Sequence, residues 1–406
     1  MTRFDVFNGD ADGICALQQL RLAMPAESVL VTGPKRDIAL LARVPAVRGD
    51  AVTVLDVSLD ANREALDALL ARGVDVDYFD HHVPGGVPAH PHLRAHIDTA
   101  PDTCTSVIVD RYLAGRQRRW AVVGAYGDNL AGVAGRLAAA CSLTDADACR
   151  LQVLGESVNY NGYGDLPDDL FMAPLAVYAV LRQYANPFDF AESPLARRLD
   201  ANRRRDIARA ERQRATIALP GADVYILPDA RWARRVRGVF ANRLARRGAT
   251  RAHAVLTLSA SGGYTVSVRA PVAAPYGADR LCRAFPEGGG REGAAGINRL
   301  ALDRLDAFVD ALANAYPAAA ARGGAIRHGR NGCHRGAPER WLLLGGTRCN
   351  RGAARCRAVD TGQGRRPGKM NRHHRRGEAS WSTMRRFCVA GAGRCPCRAG
   401  GISPRC

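Results

Sequence analysis

Along the first hundred residues, short apolar runs alternate with segments whose apolar positions recur at helical spacing. "FDVFN" (4–8), "SVLVTG" (28–33), "AVTVLDVS" (51–58) and "VDVDYFD" (74–80) read as strands. Between them, "GICALQQLRLA" (13–23) and "DANREALDALLARG" (60–73) read as helices, the second with Asp60 as N-cap and Gly73 as stop. Strand–helix–strand alternation predicts a parallel sheet covered by helices. The pattern then turns mostly helical to about residue 185, and "NPFDFAESP" (186–194) interrupts it like a domain boundary. A charged helix over 195–219 reads as a solvated connector laced with ion pairs. A second α/β unit follows from Asp223 to about Pro317, with "DVYILP", "AHAVLTLS" and "GYTVSVRAP" as strands and "LDRLDAFVDALANAYP" (302–317) as its closing helix.

Composition changes this picture at one end only. The chain has 406 residues and a formal net charge of +19, but residues 327–406 hold 19 Lys and Arg against 3 Asp and Glu. Residues 1–326 are left with a net charge of +3, so the basic balance belongs to the tail and not to a nucleic-acid-binding core. The tail lacks a sustained apolar period and is rich in Gly and Arg. It cannot bury enough apolar surface to offset chain entropy, and disorder is expected. Its Arg, Gly, Ala, Pro and Cys content matches a GC-rich gene translated out of frame. That reading is preferred to an Arg/Gly-rich RNA-binding segment or to a zinc site at "CPC", which lacks ligand spacing.

Seven of the 12 cysteines also lie in the tail; Cys15, Cys104, Cys141, Cys149 and Cys282 are irregularly spaced and read as reduced, mostly buried thiols. No apolar leader opens the sequence, and no run of about 18 apolar residues occurs. A cytoplasmic protein without membrane association is expected.

Candidate chemistry sits at the predicted strand ends. Asp10 and Asp12 lie in "NGDADG" just past the first strand, Asp56 ends a strand in "VLDVS", Asp80, His81 and His82 end another in "YFDHH", and Asp128 closes an apolar helical stretch in "AYGDN". In an open parallel sheet, side chains just beyond the carboxyl ends of strands converge on one crevice. Carboxylates gathered there raise one another's pKa unless cations intervene. An oxygen-rich set with one or two imidazoles suits Mn²⁺ or Mg²⁺. Two such ions about 3.5–4 Å apart are a common device for phosphoryl displacement.

"GDADG", a lone strand-end Asp, "DHH" and "GDN", in that order, resemble the motif set of the DHH phosphoesterase superfamily, over roughly residues 1–320. The resemblance implies a parallel Rossmann-like sheet domain over 1–186, a helical linker over 187–220 and a smaller α/β substrate-binding domain over 221–320, followed by the tail at 327–406. It implies a phosphoesterase with two Mn²⁺ ions, Mg²⁺ being the alternative, held by Asp10, Asp12, Asp56, His81 and Asp128, with Asp56 bridging. His82 would face the substrate phosphate, and Asp80 would orient a neighbouring imidazole. Many members of the superfamily carry a His ligand a few residues before the first Asp pair. Here Val6, Phe7 and Asn8 occupy that region, which is closer to the RecJ-like form than to the pyrophosphatases.

"FPEGGGREGAAGIN" (285–298) resembles the "GGGHxxAAG" signature of the DHH-associated C-terminal domain, with Arg291 in place of the His. Gly288, Gly289, Gly290 and Arg291, together with Arg269 in "SVRAP", are thereby implied in substrate binding. "AAGINRL" reads as the opening of a helix whose N-terminus favours an anion. "NYNGYGDLPDD" (159–169) reads as a loop before a helix at 170–184, with stacking of a base as its functional alternative.

The expected activity is hydrolysis of phosphodiester bonds in short oligonucleotides or small nucleotides. A nucleotide-binding sensor without turnover and a pyrophosphatase-like phosphohydrolase are the alternatives; the sequence leaves the oligomeric state open, a homodimer being one option. If the tail has no role, a chain ending at residue 326 keeps the solubility and thermal midpoint of the full chain; a loss of either in a thermal melt contradicts that reading.

Overall fold

Apolar runs bounded by polar turns form the strands of the first sheet in the computed structural model, which describes residues 1–259 and 262–318. The chain runs β1 (Arg3–Asn8), α1 (Ala11–Ala23), β2 (Val29–Gly33), β3 (Ala51–Leu55), α2 (Arg63–Ala71), β4 (Asp75–Asp80) and β5 (Leu93–Ile97). The strand order is β2-β1-β3-β4-β5 and every pairing is parallel. β1 and β3 are therefore adjacent, with the crossovers leaving in opposite directions, which opens a crevice at their carboxyl ends. β5 has no counterpart among the expected strands. Its "LRAHI" is half-exposed at a sheet edge and carries two polar residues in five, so no buried run marks it.

Asp60 does not cap α2. A 3-10 turn over Asp60–Asn62 precedes the helix, and the Asn62 side chain is spent on the carbonyls of Ile38 and Ser58 and the N–H of Leu41. Gly73 follows the helix at φ +76°, the left-handed conformation that suits a glycine stop.

Helices α3 (Thr105–Tyr112), α4 (Arg118–Gly127), α5 (Ala131–Ala140), α6 (Asp145–Asn161), α7 (Pro174–Leu181) and the short α8 (Pro187–Ala191) complete this part. One core packs Phe7, Ile14, Leu17, Trp120, Val123, Leu151 and Tyr178 on one face of the sheet. Val6, Val54, Val76 and Tyr78 form a core on the other face with Leu66, Leu69 and Leu70 of α2.

The charged helix α9 (Pro194–Glu211) starts at Ser193, whose hydroxyl accepts the Ala196 N–H at 3.1 Å. It stops well before residue 219, because Ile217 and Ala218 leave it to form β6 (Ile217–Ala218) against β7 (Ala222–Ile226). Then come α10 (Arg231–Arg247), β8 (Ala252–Leu258), β9 (Tyr264–Arg269), α11 (Ala278–Arg283), β10 (Gly288–Arg291), β11 (Ala294–Leu300) and α12 (Leu305–Ala315). The second sheet has the order β10-β11-β9-β8-β7-β6, and within it only β7 and β8 pair in parallel.

"AAGINRL" is thus a strand and not a helix opening. Ala295 and Ile297 face the core beside Phe308 at the two-residue spacing of a strand, and a shift of register between Ile297 and Leu300 brings Leu300 to the same core. The glycines before it are needed for close approach. A Cβ on Gly288 would lie 1.8 Å from the Cys282 carbonyl oxygen, and Gly290 has φ +138°. No helix among the described residues is long and apolar enough to cross a membrane. The five cysteines before residue 327 form no disulfide, and Cys15, Cys104 and Cys282 are buried. The expectations for the tail fall outside the described residues.

A buried polar cluster ties the two sheet systems together. Asp206 of α9 accepts from Tyr160 Oη of α6 at 2.9 Å and from Arg235 Nε of α10 at 2.8 Å, within an apolar cluster that includes Phe240 and Val255. Asp206 and Arg235 are both buried. Removing one charge strands the other, so Arg235→Met is expected to cost about 3–5 kcal/mol in denaturant unfolding. Combining it with Asp206→Asn restores part of that loss. Equal or additive losses in the double variant contradict the coupling.

Candidate active site

Each predicted motif places its carboxylate by a different local device. Asp10 follows β1 and caps α1, its Oδ1 accepting the N–H groups of Asp12 at 2.9 Å and Gly13 at 3.1 Å. Asn8 Oδ1 accepts the Asp10 N–H at 3.2 Å. Asp12 reaches across to the first turn of α3 and accepts the N–H groups of Thr105 and Ser106, both at 2.7 Å. A helix N-terminus favours that negative charge.

Asp56 ends β3 at φ +59°, a costly conformation for a non-glycine residue. Its N–H is tied to the Phe79 carbonyl at 3.0 Å, which turns the side chain toward the crevice. Asp80 ends β4, fully buried, and its Oδ1 meets His82 Nδ1 at 2.7 Å. Its Oδ2 has no hydrogen-bond partner among the described residues. Asp128 closes α4.

These side chains meet. His81 Nε2 lies 3.4 Å from Asp56 Oδ1 and 3.9 Å from Asp128 Oδ2. Ligand atoms of Asp12, His81 and Asp128 fall within 4.8 Å of one another, and so do those of Asp56, His81 and His82. The donors are carboxylate oxygens and imidazole nitrogens, the set that suits a hard or borderline divalent cation. Two such overlapping sets sharing His81 fit an ion at this place.

Asp10 is engaged differently: its Oδ2 is ion-paired with Lys35 Nζ, which also stands 3.7 Å from Asp128 Oδ1. Lys35 is absent from the residues singled out by sequence. The available signal was positional, since "GPKRD" directly follows β2, the neighbour of β1, and so must run beside the first motif.

Electrostatics show what this crowding costs. Burial, then the charges of Asp10 and Asp12, push the Asp56 carboxyl well above its ordinary range. Burial and then Asp12 raise Asp128 to about 6. Burial pushes Asp10 upward as well, but the Lys35 ammonium outweighs it and holds that carboxyl below its usual value. The hydrogen bond to Asp80 raises His82, favouring its charged form.

Beside Lys35 the crevice opens into a hollow of about 590 Å³ lined by Asn159, Tyr163, Arg36, Arg237 and Arg269 among others. Arg269 donates from Nε to Asn242 Oδ1 at 2.6 Å, and burial lowers its pKa. The segment 159–169 contributes Tyr163 to the hollow, hydrogen-bonded to Asn159 Nδ2 at 2.8 Å, while its acids are structural: Asp165 pairs with Arg237 and Asp169 with Arg234. Gly288, Gly289, Gly290 and Arg291 do not line this hollow; they form the outermost strand of the second sheet, with Arg291 exposed. A separate hollow of about 800 Å³, bordered by Arg3, Arg21, Asp77 and Tyr112, holds none of the predicted site residues.

No protein-family model matches the chain, and no curated protein matches it. Solved structures do. A manganese-bound RecJ exonuclease is similar at 18% identity and a TM-score of 0.50, over 77% of this chain and 90% of that one. The pGpG-specific phosphodiesterase PggH from Vibrio cholerae is similar at 14% identity and a TM-score of 0.50, over 77% of this chain and 98% of that one. RecJ from Thermus thermophilus in complex with Mn²⁺ matches at 20% identity and a TM-score of 0.49, over 77% of this chain and 52% of that one. With the motif geometry above, the chain has the fold of the DHH phosphoesterases.

The raised carboxyls set a pH dependence. In the folded, cation-free chain Asp128 binds its proton near pH 6, whereas an unfolded Asp does so near 3.8. The folded state therefore holds more protons between those values, and this group's contribution to stability falls as pH rises through that window. A bound cation offsets the repulsion that appears above it. Mn²⁺ is accordingly expected to raise the thermal midpoint more at pH 7.5 than at pH 5, and equal shifts at both pH values contradict the assignment.

Proposed function

We propose that the chain is a cation-assisted phosphoesterase that hydrolyses phosphodiester bonds in short oligonucleotides or small nucleotides. One observation carries this reading: carboxylates and imidazoles from the start of α1 and from the ends of β3, β4 and α4 converge beside an arginine-lined hollow. A divalent ion, Mn²⁺ or Mg²⁺, held by Asp12, Asp56, His81 and Asp128, supplies Lewis-acid polarisation of the phosphoryl group and lowers the pKa of water. The names of two structural neighbours, a manganese-bound exonuclease and a pGpG phosphodiesterase, support the substrate class.

The chain's own residues do the remaining work. His82, kept charged by Asp80, donates to a phosphoryl oxygen and stabilises charge as it develops there. Asp80 is the positioning residue that fixes the imidazole. Arg269 and Arg36 in the hollow bind adjacent phosphates, and Tyr163 offers a ring to a base or sugar. The hollow's volume is in the range that encloses a small ligand, which favours a dinucleotide-sized substrate over a long strand. Arg291 and the glycine strand, outside the hollow, would contact only substrates long enough to leave it. The expected pair of ions depends on Asp10 being available as a ligand, and Lys35 bears directly on that.

The test is a panel of linear dinucleotides, cyclic dinucleotides, 3′-phosphoadenosine phosphate and pyrophosphate, incubated with the full chain and Mn²⁺. Dinucleotide turnover is expected, falling by about 10²–10³-fold in Asp56→Asn and His82→Ala. Asn tolerates the left-handed conformation at position 56, so that variant keeps the backbone. Tight nucleotide binding with no metal-dependent turnover selects the sensor instead, and cleavage of pyrophosphate alone selects the phosphohydrolase.

A further inference from the structure

The superfamily resemblance implies two cations, yet on one side of the site the carboxylates already face a positive charge of the chain itself. Asp10 spends Oδ1 on the N–H groups of Asp12 and Gly13, and Oδ2 on the Lys35 ammonium. Asp128, the other carboxylate on that side, has the same ammonium 3.7 Å from its Oδ1. Where many superfamily members carry a histidine ligand, this chain has Val6, Phe7 and Asn8. Val6 and Phe7 are fully buried in apolar cores.

Asn8 serves a different purpose. It accepts the Asp10 N–H and donates from Nδ2 to the Lys35 carbonyl at 3.5 Å, while the Lys35 N–H is held by the Gly162 carbonyl at 3.0 Å. The Lys35 backbone is thus fixed from both sides, with its ammonium aimed between Asp10 and Asp128.

We propose that the Lys35 ammonium takes the place of one of the two cations, making this a one-ion centre in which a fixed side-chain charge neutralises Asp10 and Asp128. The observations combine without strain. A second divalent ion between those carboxylates would have to displace an ammonium already paired with Asp10, and it would find no imidazole just ahead of Asp10 to hold it. Asp12, His81 and Asp128, whose ligand atoms fall within 4.8 Å of one another, with Asp56 Oδ1 3.4 Å from His81 Nε2, are enough for one ion. A fixed ammonium is also suited to meet a phosphoryl oxygen, since it needs no metal to be loaded first. This inference rests on the phosphoesterase reading but is separable from it, because it concerns the number of ions and not the reaction.

Ion number is read directly by equilibrium dialysis of the full chain against Mn²⁺ with elemental analysis, and by electron paramagnetic resonance of the same samples. The wild-type chain is expected to take one Mn²⁺ and to give the six-line spectrum of an isolated ion. Lys35→Met, which keeps the buried stem, and Lys35→Ala are each expected to take two, with the spectrum broadened by coupling between them. Lys35→Arg keeps the charge and is expected to stay at one. The Lys35 side chain is 32% exposed, so its truncation leaves no sealed cavity, and circular dichroism checks the fold.

Two coupled ions in the wild-type chain overturn the proposal while leaving the phosphoesterase reading intact. A single ion in both Lys35→Met and Lys35→Ala also overturns it, because the ammonium would not then be what excludes the second. No ion bound to the wild-type chain overturns the proposal together with the reading beneath it.

Discussion

Four carboxylates, Asp10, Asp12, Asp56 and Asp128, are held close together in a largely water-excluded crevice, and their mutual repulsion is the constraint to which the rest of the site answers. Three of them are held by local structure that does not itself remove the repulsion: a helix cap for Asp10, the amino end of α3 for Asp12, a left-handed backbone turn for Asp56. Such an arrangement costs stability in the absence of positive charge. It is the sort of local strain that a fold keeps when a ligand or a reaction uses it. Lys35 provides part of the compensation from within the chain, and on the function proposed above a divalent cation would provide the rest.

The sheet topology makes the crowding possible. Because β1 and β3 are neighbours and their crossovers diverge, the residues just past both strands share one opening, and β4 adds the "DHH" triplet from the next position. The second sheet is fixed to this frame by the buried Tyr160–Asp206–Arg235 cluster and by α10 arginines that clamp the 165–169 segment. Those contacts place Arg237 and Arg269 beside the hollow next to Lys35. The positive charge beside the hollow therefore comes from a handful of arginines in a nearly neutral core.

Much of this was legible in the residues. The three central strands of the first sheet, β1, β3 and β4, are short and rich in apolar residues, and acids stand at or just past their carboxyl ends, so both the parallel sheet and the convergence followed from spacing. What escaped has physical reasons. β5 is a half-exposed edge strand in which Arg94 and His96 break up the apolar run, which removes the signature of a buried strand. "AAGINRL" alternates only weakly because its first inward position is a small alanine and its register shifts between Ile297 and Leu300, and the preceding glycines suggested a loop although they are required by a tight hairpin. Lys35 was invisible because a lysine in a turn is ordinarily a solvated charge. Its role appears only when β2 is known to lie beside β1.

The most direct measurement of the central claim is a crystal structure of the full chain grown or soaked with Mn²⁺, with the ion located by its anomalous scattering. A single peak bounded by Asp12, Asp56, His81 and Asp128, with the Lys35 ammonium still against Asp10, is the predicted result. Those side chains standing apart with no peak among them, or a pair of peaks with Lys35 displaced toward solvent, would contradict it.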